Sequence, residues 1–284
     1  MSRRLIECSN KKKISAIAIF FLLLVVTMII TFPLWVAFFT SFKVKSDVIT
    51  VNPHIFPTEI TLDNYKRLIF DKDIFMYIKN SFIVATFLMI VTVVLSLLGA
   101  FAIVWLKFPG KRAFVKMILG IYMLPTLLFA MPYYVMCNAL GLLNSSIGLI
   151  ITYLSFTLPF AIWMLKNSFE TIPVELLESG LIDGCSYTQC LYKIVLPISL
   201  PAVSVTAVYG FIVGFSEYMF ASTLMTEEKA RTMPLFLSLL MGRYHTDFGI
   251  LTAASMLMIL PIIILYLIVQ RYFIAGMTSG AVKD

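Results

Sequence analysis

Few side chains in this 284-residue sequence have the type and spacing to do chemistry. An intramembrane serine protease needs an activated serine with a histidine beside it, and both histidines, His54 and His245, lie outside the apolar stretches. The four cysteines, Cys8, Cys137, Cys185 and Cys190, form no C-x-x-C pair and no Cys/His cluster of the kind that holds zinc. A phosphate-binding loop G-x-x-x-x-G-K-[ST] is absent: the pair Gly110-Lys111 is followed by Arg112 and lacks the earlier glycine. The sequence therefore offers no catalytic residue, no metal site and no ATPase of its own. Two acidic features remain. Glu217 is the one charged residue well inside an apolar stretch, and Glu170, Glu175, Glu178 and Asp183 gather between two such stretches.

Residues 170–201 read ETIPVELLESGLIDGCSYTQCLYKIVLPISLP. Pro173 suits the first position of a helix, where its missing N–H is not needed. Val174, Leu177 and Leu181 recur at i, i+3 and i+7 with Glu175 and Glu178 among them, an amphipathic pattern. Gly184 fits the left-handed position that ends a helix. Ser186 and Gln189 have capping-box spacing and open a second short helix, with Tyr187, Cys190, Leu191 and Ile194 on one face. Pro197 and Pro201 then redirect the chain. The expected product is a helix–Gly–helix elbow over residues 170–198. With Lys166 and Lys193 included, its charges are two positive against four negative. A surface helix that binds acidic lipid is basic, so this acidic elbow suits the docking of a protein. The plainer alternative is an ordinary amphipathic loop.

A bilayer-spanning bundle must position these residues. Only 13% of the chain is charged and 60% is hydrophobic, whereas soluble domains carry about 25% charged residues. A soluble enzyme and a disordered tail are both excluded. Charge-free windows occur at 14–42, 80–106, 117–165, 194–216 and 248–270. Roughly 20 apolar residues in a helix cross about 30 Å of hydrocarbon. The window 117–165 is too long for one crossing and must fold back near Asn138, Gly141, Asn144, Ser145, Ser146 and Gly148. The expectation is an all-α membrane protein with six transmembrane helices, at about 14–42, 78–106, 115–137, 149–166, 200–226 and 248–271. The fifth runs past Glu217 to about Thr226. A segment 1–13 precedes the membrane domain 14–276, and a tail 277–284 follows it. A cleaved signal peptide is the competing reading of the N-terminus. Its core would be about 7–15 residues long, and the run here continues through Phe32-Pro33-Leu34-Trp35.

Arg3, Arg4, Lys11, Lys12 and Lys13 place the N-terminus in the cytoplasm by the positive-inside bias, and six spans return the C-terminus there. The net charge of +7 is then topology: no basic soluble face exists to bind nucleic acid. Three cysteines fall on the reducing side and Cys137 has no external partner, so no disulfide is expected.

The elbow carries a family resemblance. Glu178-Ser179-Gly180-Leu181-Ile182-Asp183-Gly184, nine further residues and Ile194-Val195-Leu196-Pro197 resemble the E-A-A-x3-G-x9-I-x-L-P loop of permease subunits in binding-protein-dependent ABC importers. Ser179 and Gly180 replace the two alanines and Cys185 the usual small residue after the glycine, so each position stays small. Over nearly the whole chain the resemblance is to carbohydrate importers, on the side of the maltose permease's smaller subunit. The supporting stretches are Thr61-Leu62-Asp63-Asn64-Tyr65, Gly141-Leu142-Leu143-Asn144, Pro159-Phe160-Ala161-Ile162-Trp163 and Tyr244-His245-Thr246-Asp247-Phe248-Gly249. The ending, from Gln270-Arg271-Tyr272-Phe273 to Gly280-Ala281-Val282-Lys283, is similar too. Phe215-Ser216-Glu217-Tyr218 stands where many members carry W-N-E-F, a departure at any transferred sugar contact.

The resemblance implies a type I ABC importer permease fold, with both termini cytoplasmic, in a bacterial cytoplasmic membrane. It implies a heterodimer with a paralogous permease, two ATPase subunits that bind ATP and Mg, and an extracytoplasmic sugar-binding protein. No cofactor belongs to this chain. Closure of the ATPases would act through Glu178, Ser179, Gly180, Leu181, Asp183, Gly184, Leu191, Ile194, Leu196 and Pro197. Leu181 and Leu191 would be the packing anchors in the ATPase cleft. Gly280, Ala281, Val282 and Lys283 would reach between the ATPases, or else form a frayed tail. A polyamine, amino acid or phosphate is the alternative cargo. A stand-alone channel or secondary transporter is disfavoured, since the spans carry no ion-coordinating or proton-relay chain.

Sugars offer hydroxyls to polar groups and flat C–H faces to aromatic rings. Tyr122, Tyr133, Tyr134, Tyr153, Tyr209, Phe215 and Tyr218 are therefore candidates for the path, although aromatic belts at the interfaces explain such residues equally well. Gly210, Gly214, Glu217 and Ala221 share one helical face. That face lines the path or the permease–permease seam, or Glu217 accepts a hydrogen bond near the external headgroups.

Overall fold

The computed structural model describes residues 2–50, 54–242 and 246–281, with side chains over 16–50, 54–242 and 246–270. The elements are helical throughout. In chain order they are α1 (Ser2–Ser41), α2 (Lys45–Val48), α3 (Asp63–Phe70), α4 (Ile74–Trp105), α5 (Lys111–Tyr122), α6 (Ala130–Ala139) and α7 (Ser146–Phe169). There follow α8 (Val174–Ile182), α9 (Tyr187–Cys190), a π-helical turn (Leu191–Val195), α10 (Leu196–Ile198), α11 (Leu200–Ser216), α12 (Met219–Leu224), α13 (Met233–Leu240) and α14 (Phe248–Ala281). Among the described residues the β pairing is a single bridge between Lys43 and Ile60.

Among the described residues, four stretches are long and apolar enough to cross a membrane: Ala16–Ser41 of α1, α4, α7 and Phe248–Gln270 of α14. Two bent pairs raise the number to six if each is one span: Lys111–Tyr122 with Thr126–Ala139, at 91°, and Tyr187–Ile198 with Leu200–Ser216, at 87°. The straight helix expected over 115–137 is therefore not observed. Pro125 has no N–H to continue a helix and disfavours the α conformation at Leu124. The chain turns there and resumes through a 3-10 turn, Thr126–Phe129, into α6. Nor does one helix run from 200 to 226. α11 stops at Ser216, and Glu217 is extended, with φ −70° and ψ 130°.

The fold-back expected within 117–165 is present between α6 and α7. Gly141 (φ 66°) and Asn144 (φ 56°) take left-handed conformations, and the Ser145 side chain caps α7 by accepting the Ile147 N–H. The Asn144 side chain then ties this turn to the chain after α12. Its Nδ2 donates to Thr226 Oγ1 at 3.1 Å and to Glu227 Oε1 at 3.3 Å, and its Oδ1 accepts the Glu227 N–H at 2.9 Å. Asn144→Ala removes these bonds and leaves a Cβ residue at positive φ. The purified chain is expected to lose about 1–2 kcal/mol, read as a lower unfolding temperature. Asn144→Gly, which removes only the bonds, should lose less.

Contacts divide the chain into two compact units. The first comprises residues 1–71 and 243–256. Asn64 is buried in it, donating from Nδ2 to the carbonyls of Ser41 and Lys43, both at 3.0 Å. Tyr65 Oη lies 2.8 Å from Ser41 Oγ. Asp247 pairs with Arg67 at 3.2 Å and accepts the Ile250 N–H at 3.2 Å, which caps the start of α14. A Cβ at Gly249 would lie 2.8 Å from Asn64 Nδ2, so only glycine fits against that amide. Asp47 accepts the Thr58 N–H at 2.9 Å, and this bond holds its carboxyl below the ordinary aspartate range.

The second unit comprises residues 72–242 and 257–284. Its frame is α4, which packs along α7 and α11. Gly210 and Gly214 bring the backbones of α11 and α4 together: a Cβ at 214 would lie 2.7 Å from Ala85 Cα, and one at 210 would lie 3.1 Å from Met89 Cα. Small residues allow this approach, on which packing inside a bilayer depends. Beyond α12 the chain forms α13, a helix not anticipated from the sequence. It sits on α4 through a Tyr77–Phe236 ring stack at 4.4 Å and a 2.7 Å bond from the Met233 N–H to Ser81 Oγ.

Candidate functional site

The elbow forms as its caps dictate. α8 opens after Pro173 and ends at Ile182, and Gly184 follows with φ 86°. A residue with a Cβ pays about 1–2 kcal/mol for that conformation, and glycine avoids it. Ser186 Oγ accepts the Gln189 N–H at 3.3 Å while Gln189 Oε1 accepts the Ser186 N–H at 2.8 Å, a reciprocal capping box that opens α9.

The inner face of the elbow is fastened to the bundle. Leu177, Cys190, Leu191 and Val195 are buried with Leu97, Ala100 and Phe101 of α4 and Leu165 and Phe169 of α7. Gly180 is buried where the two elbow helices meet: a Cβ there would lie 2.5 Å from Ile194 Cδ1 and 3.3 Å from Cys190 Sγ. Leu191 is 3% exposed. It cannot be the external packing anchor expected of it, because its side chain is already spent inside this chain. Leu181, Ile194 and Leu196 are half-buried around the same core.

The outer face carries the acidic residues. Glu175, Glu178, Ser179, Asp183 and Pro197 are exposed. Ile182, next to Asp183 in the chain, is 86% exposed, and Tyr187 and Tyr192 further along the elbow are exposed too. The helical repeat groups side chains along each helix but does not show which side of the elbow the bundle covers. Val174 and Tyr187, expected to share a face with Leu177 and with Cys190 and Leu191 respectively, are each 48% exposed while those partners are buried.

The path candidates separate into two groups. Phe215 and Tyr153 are fully buried. Phe215 stacks on Phe211 at 5.5 Å and packs on Ala85; it is a core residue and presents no ring to a path. Tyr153 packs with Phe156 and Phe220. Its hydroxyl makes no hydrogen bond of good geometry, although it lies within electrostatic reach of Glu217. Tyr133 and Tyr134 are partly buried on the same core. Tyr218 is exposed.

Glu217 has a local task. Its Oε1 accepts the Phe220 N–H at 2.9 Å and its Oε2 the Ala221 N–H at 3.2 Å, so the carboxylate neutralises the free donors at the start of α12. Because α11 ends at Ser216, the face predicted for Gly210, Gly214, Glu217 and Ala221 does not continue as one helix. The glycines meet α4, and Ala221 is buried with Phe220 and Leu224.

Tyr122 and Tyr209 come together beside the break between α5 and α6. Phe160 of α7 stands between them, stacked on Tyr122 at 5.4 Å and tilted against Tyr209 at 4.7 Å, with Trp163 at 6.1 Å. Leu119, Tyr122, Pro159, Phe160 and Trp163 line a cleft of about 340 Å³. Phe160 and Trp163 were visible in the sequence only as part of the resemblance.

No group of three or more His, Cys, Asp or Glu among the described residues could hold a metal. Helix α14 runs to Ala281. Of the proposed tail contacts, the side chains of Gly280 and Ala281, and all of Val282 and Lys283, lie outside the described residues, as do Tyr244 and His245.

Comparison with known proteins extends these observations. The chain is 33% identical over 278 residues to the inner membrane ABC transporter permease protein YcjP of Escherichia coli (strain K12), covering 97% of this chain and 99% of that protein. It is 35% identical over 226 residues to the trehalose/maltose transport system permease protein MalG of Thermococcus litoralis, covering 78% and 81%. Its fold matches a chain of a bacterial ABC transporter involved in the import of the acidic polysaccharide alginate, with a TM-score of 0.72 at 23% identity over 92% of this chain and 97% of that one. Residues 92–279 match the family described as binding-protein-dependent transport system inner membrane component. An all-helical chain with several membrane-length apolar helices, an elbow clamped to its bundle and this breadth of similarity thus belongs to that family of inner-membrane permease components.

Proposed function

We propose that this chain is a transmembrane permease subunit of an ATP-driven importer that moves a sugar or oligosaccharide by alternating access. It crosses a bacterial cytoplasmic membrane six times, each bent pair counting as one span, with both termini cytoplasmic. A paralogous permease completes a heterodimer on two ATPase subunits, which bind ATP and Mg, and an external binding protein delivers the cargo.

The elbow is the observation that carries this reading. Its inner face is welded to α4 and α7 by buried side chains, while its outer face offers Glu178, Asp183 and Ile182. A lever must be stiff on one side and free on the other. The acidic rim around an apolar knob suits a basic-edged cleft in an ATPase subunit, and the stiff side passes its movement to the two helices that frame the bundle. Ser179, Gly180, Leu181, Gly184, Ile194, Leu196 and Pro197 keep the elbow's shape. Leu191 does so from within. The tail through Gly280, Ala281, Val282 and Lys283 adds a second contact to the ATPases.

A sugar cargo rests on the trehalose/maltose relative. The test is ATP hydrolysis by the reconstituted transporter with its binding protein and a panel of disaccharides beginning with maltose and trehalose. A sugar of the panel should stimulate hydrolysis several-fold. Stimulation by a polyamine, amino acid or phosphate, and by no sugar, would move the cargo to another class. Solute flux through the purified chain alone, without ATP, would sink the importer reading.

A further inference from the structure

The break after α5 lies within a bent apolar helix pair, one crossing in the reading above, and residues 121–128 are exposed there. Non-helical backbone at membrane depth is tolerated only where protein covers it or where it lines a water-filled cavity. That break opens beside the aromatic cluster of Tyr122, Phe160, Trp163 and Tyr209, drawn from α5, α7 and α11. Phe160 is fixed from both sides, stacked on Tyr122 and packed against Tyr209. Tyr122 and Trp163 are 49% and 41% exposed. No hydrogen bond among the described residues ties down the hydroxyls of Tyr122 and Tyr209 or the Trp163 N–H. The two hydroxyls lie within electrostatic reach of each other. Lipid tails would leave all three donors unsatisfied, at a desolvation cost for each.

We propose that this cleft is a stacking subsite for one sugar ring on the translocation path, with the exposed faces of Tyr122 and Trp163 on its sides and Phe160 as its floor. This rests on the sugar-permease reading. A pyranose has flat C–H faces for the rings and equatorial hydroxyls for the Tyr122 phenol and the Trp163 indole N–H. A cleft of about 340 Å³ is at the small end of ligand sites, the size of one ring rather than a chain. The rim is neutral and hydrogen-bonding, so the subsite selects an uncharged ring.

The experiment uses the complete transporter in proteoliposomes: this chain, the partner permease, the ATPase subunits and the binding protein. The probe is the radiolabelled disaccharide of the panel that the wild-type complex imports. Phe160→Leu keeps an apolar side chain but removes the ring, and ATP-driven uptake should fall about tenfold. Phe160→Tyr keeps the ring and should retain most of the uptake. Tyr122→Phe removes the hydroxyl of a cleft-lining ring and should reduce uptake about fivefold. Each variant should co-purify with its partners. Equal uptake by the leucine and tyrosine variants at 160 would overturn the subsite while leaving the sugar reading intact. Failure of Phe160→Leu alone to co-purify with the partner permease would overturn it in favour of a subunit seam. A wild-type complex that imports a polyamine or phosphate but no sugar would overturn the sugar reading and the subsite with it.

Discussion

Replacing Gly184 with proline is expected to leave the chain in the membrane and to abolish uptake by the assembled transporter. Gly184 has φ 86° and donates its N–H to the Leu181 carbonyl at 3.1 Å. Proline is locked near φ −65° and has no N–H, so both the turn and the bond are lost. Losing the left-handed turn and one hydrogen bond costs on the order of 2–4 kcal/mol, enough to lower the population of the correct elbow at least tenfold. The change lies outside the apolar spans, so insertion is unaffected. Gly184→Ala keeps the N–H and strains only the left-handed backbone, by about 1–2 kcal/mol; uptake should fall without vanishing. Protein in the membrane fraction and uptake in the same vesicles measure the two effects separately. Wild-type uptake by the proline variant would remove the elbow from the coupling mechanism.

Gly214→Val should damage the bundle itself. Its Cβ would lie 2.7 Å from Ala85 Cα and 3.1 Å from Leu88 Cδ2. The first of these is backbone and cannot rotate away, so α11 and α4 must part. Overpacking costs about 1–3 kcal/mol in soluble cores, and within a bilayer close packing is the main force between helices. At about 2–4 °C per kcal/mol for a chain of this size, the purified protein should unfold several degrees lower. Gly210→Ala meets Met89 Cα at 3.1 Å, a gap that a few tenths of an ångström relieve, and should shift less. An unchanged melting temperature for Gly214→Val would mean that this contact does not hold the helices.

Much of this architecture could be read from the residues because local rules decide it. Gly141 and Asn144 tolerate left-handed backbone, and they mark the fold-back in a run that hydropathy leaves featureless. Gly184 and the Ser186/Gln189 pair drew the elbow before any tertiary contact was known. The breaks at Pro125 and Glu217 were not read, because the apolar runs continue through both and hydropathy is blind to backbone direction. Prolines alone do not decide it either: Pro33, Pro159 and Pro261 sit inside continuous helices. The burial of Leu191 and the exposure of Ile182 have the same root. A periodic pattern aligns side chains along a helix, and only the neighbouring helices determine which side is covered. Phe215 was misplaced for that reason too, since Phe211 and Ala85 claim its ring.

The π-helical turn at Leu191–Val195 sets the rotational phase of everything after it. Such a turn holds one residue more than the α-helical winding would. The hydrogen bonds from Ser199 to Val195 and from Val203 to Ser199 carry the winding onward through the 87° bend into α11. Each residue of an α-helix advances about 100° around the axis. Removing that extra residue would let the turn relax to α geometry with α11 keeping its phase, whereas deleting a residue from the α-helical winding after the turn would swing α11 by about that angle. Gly210 and Gly214 would then leave α4, and a bulkier face would arrive in their place. The spacing between elbow and membrane helix thus works as a gear tooth: a one-residue change of length after the turn acts as a rotation of the bundle's most tightly meshed helix.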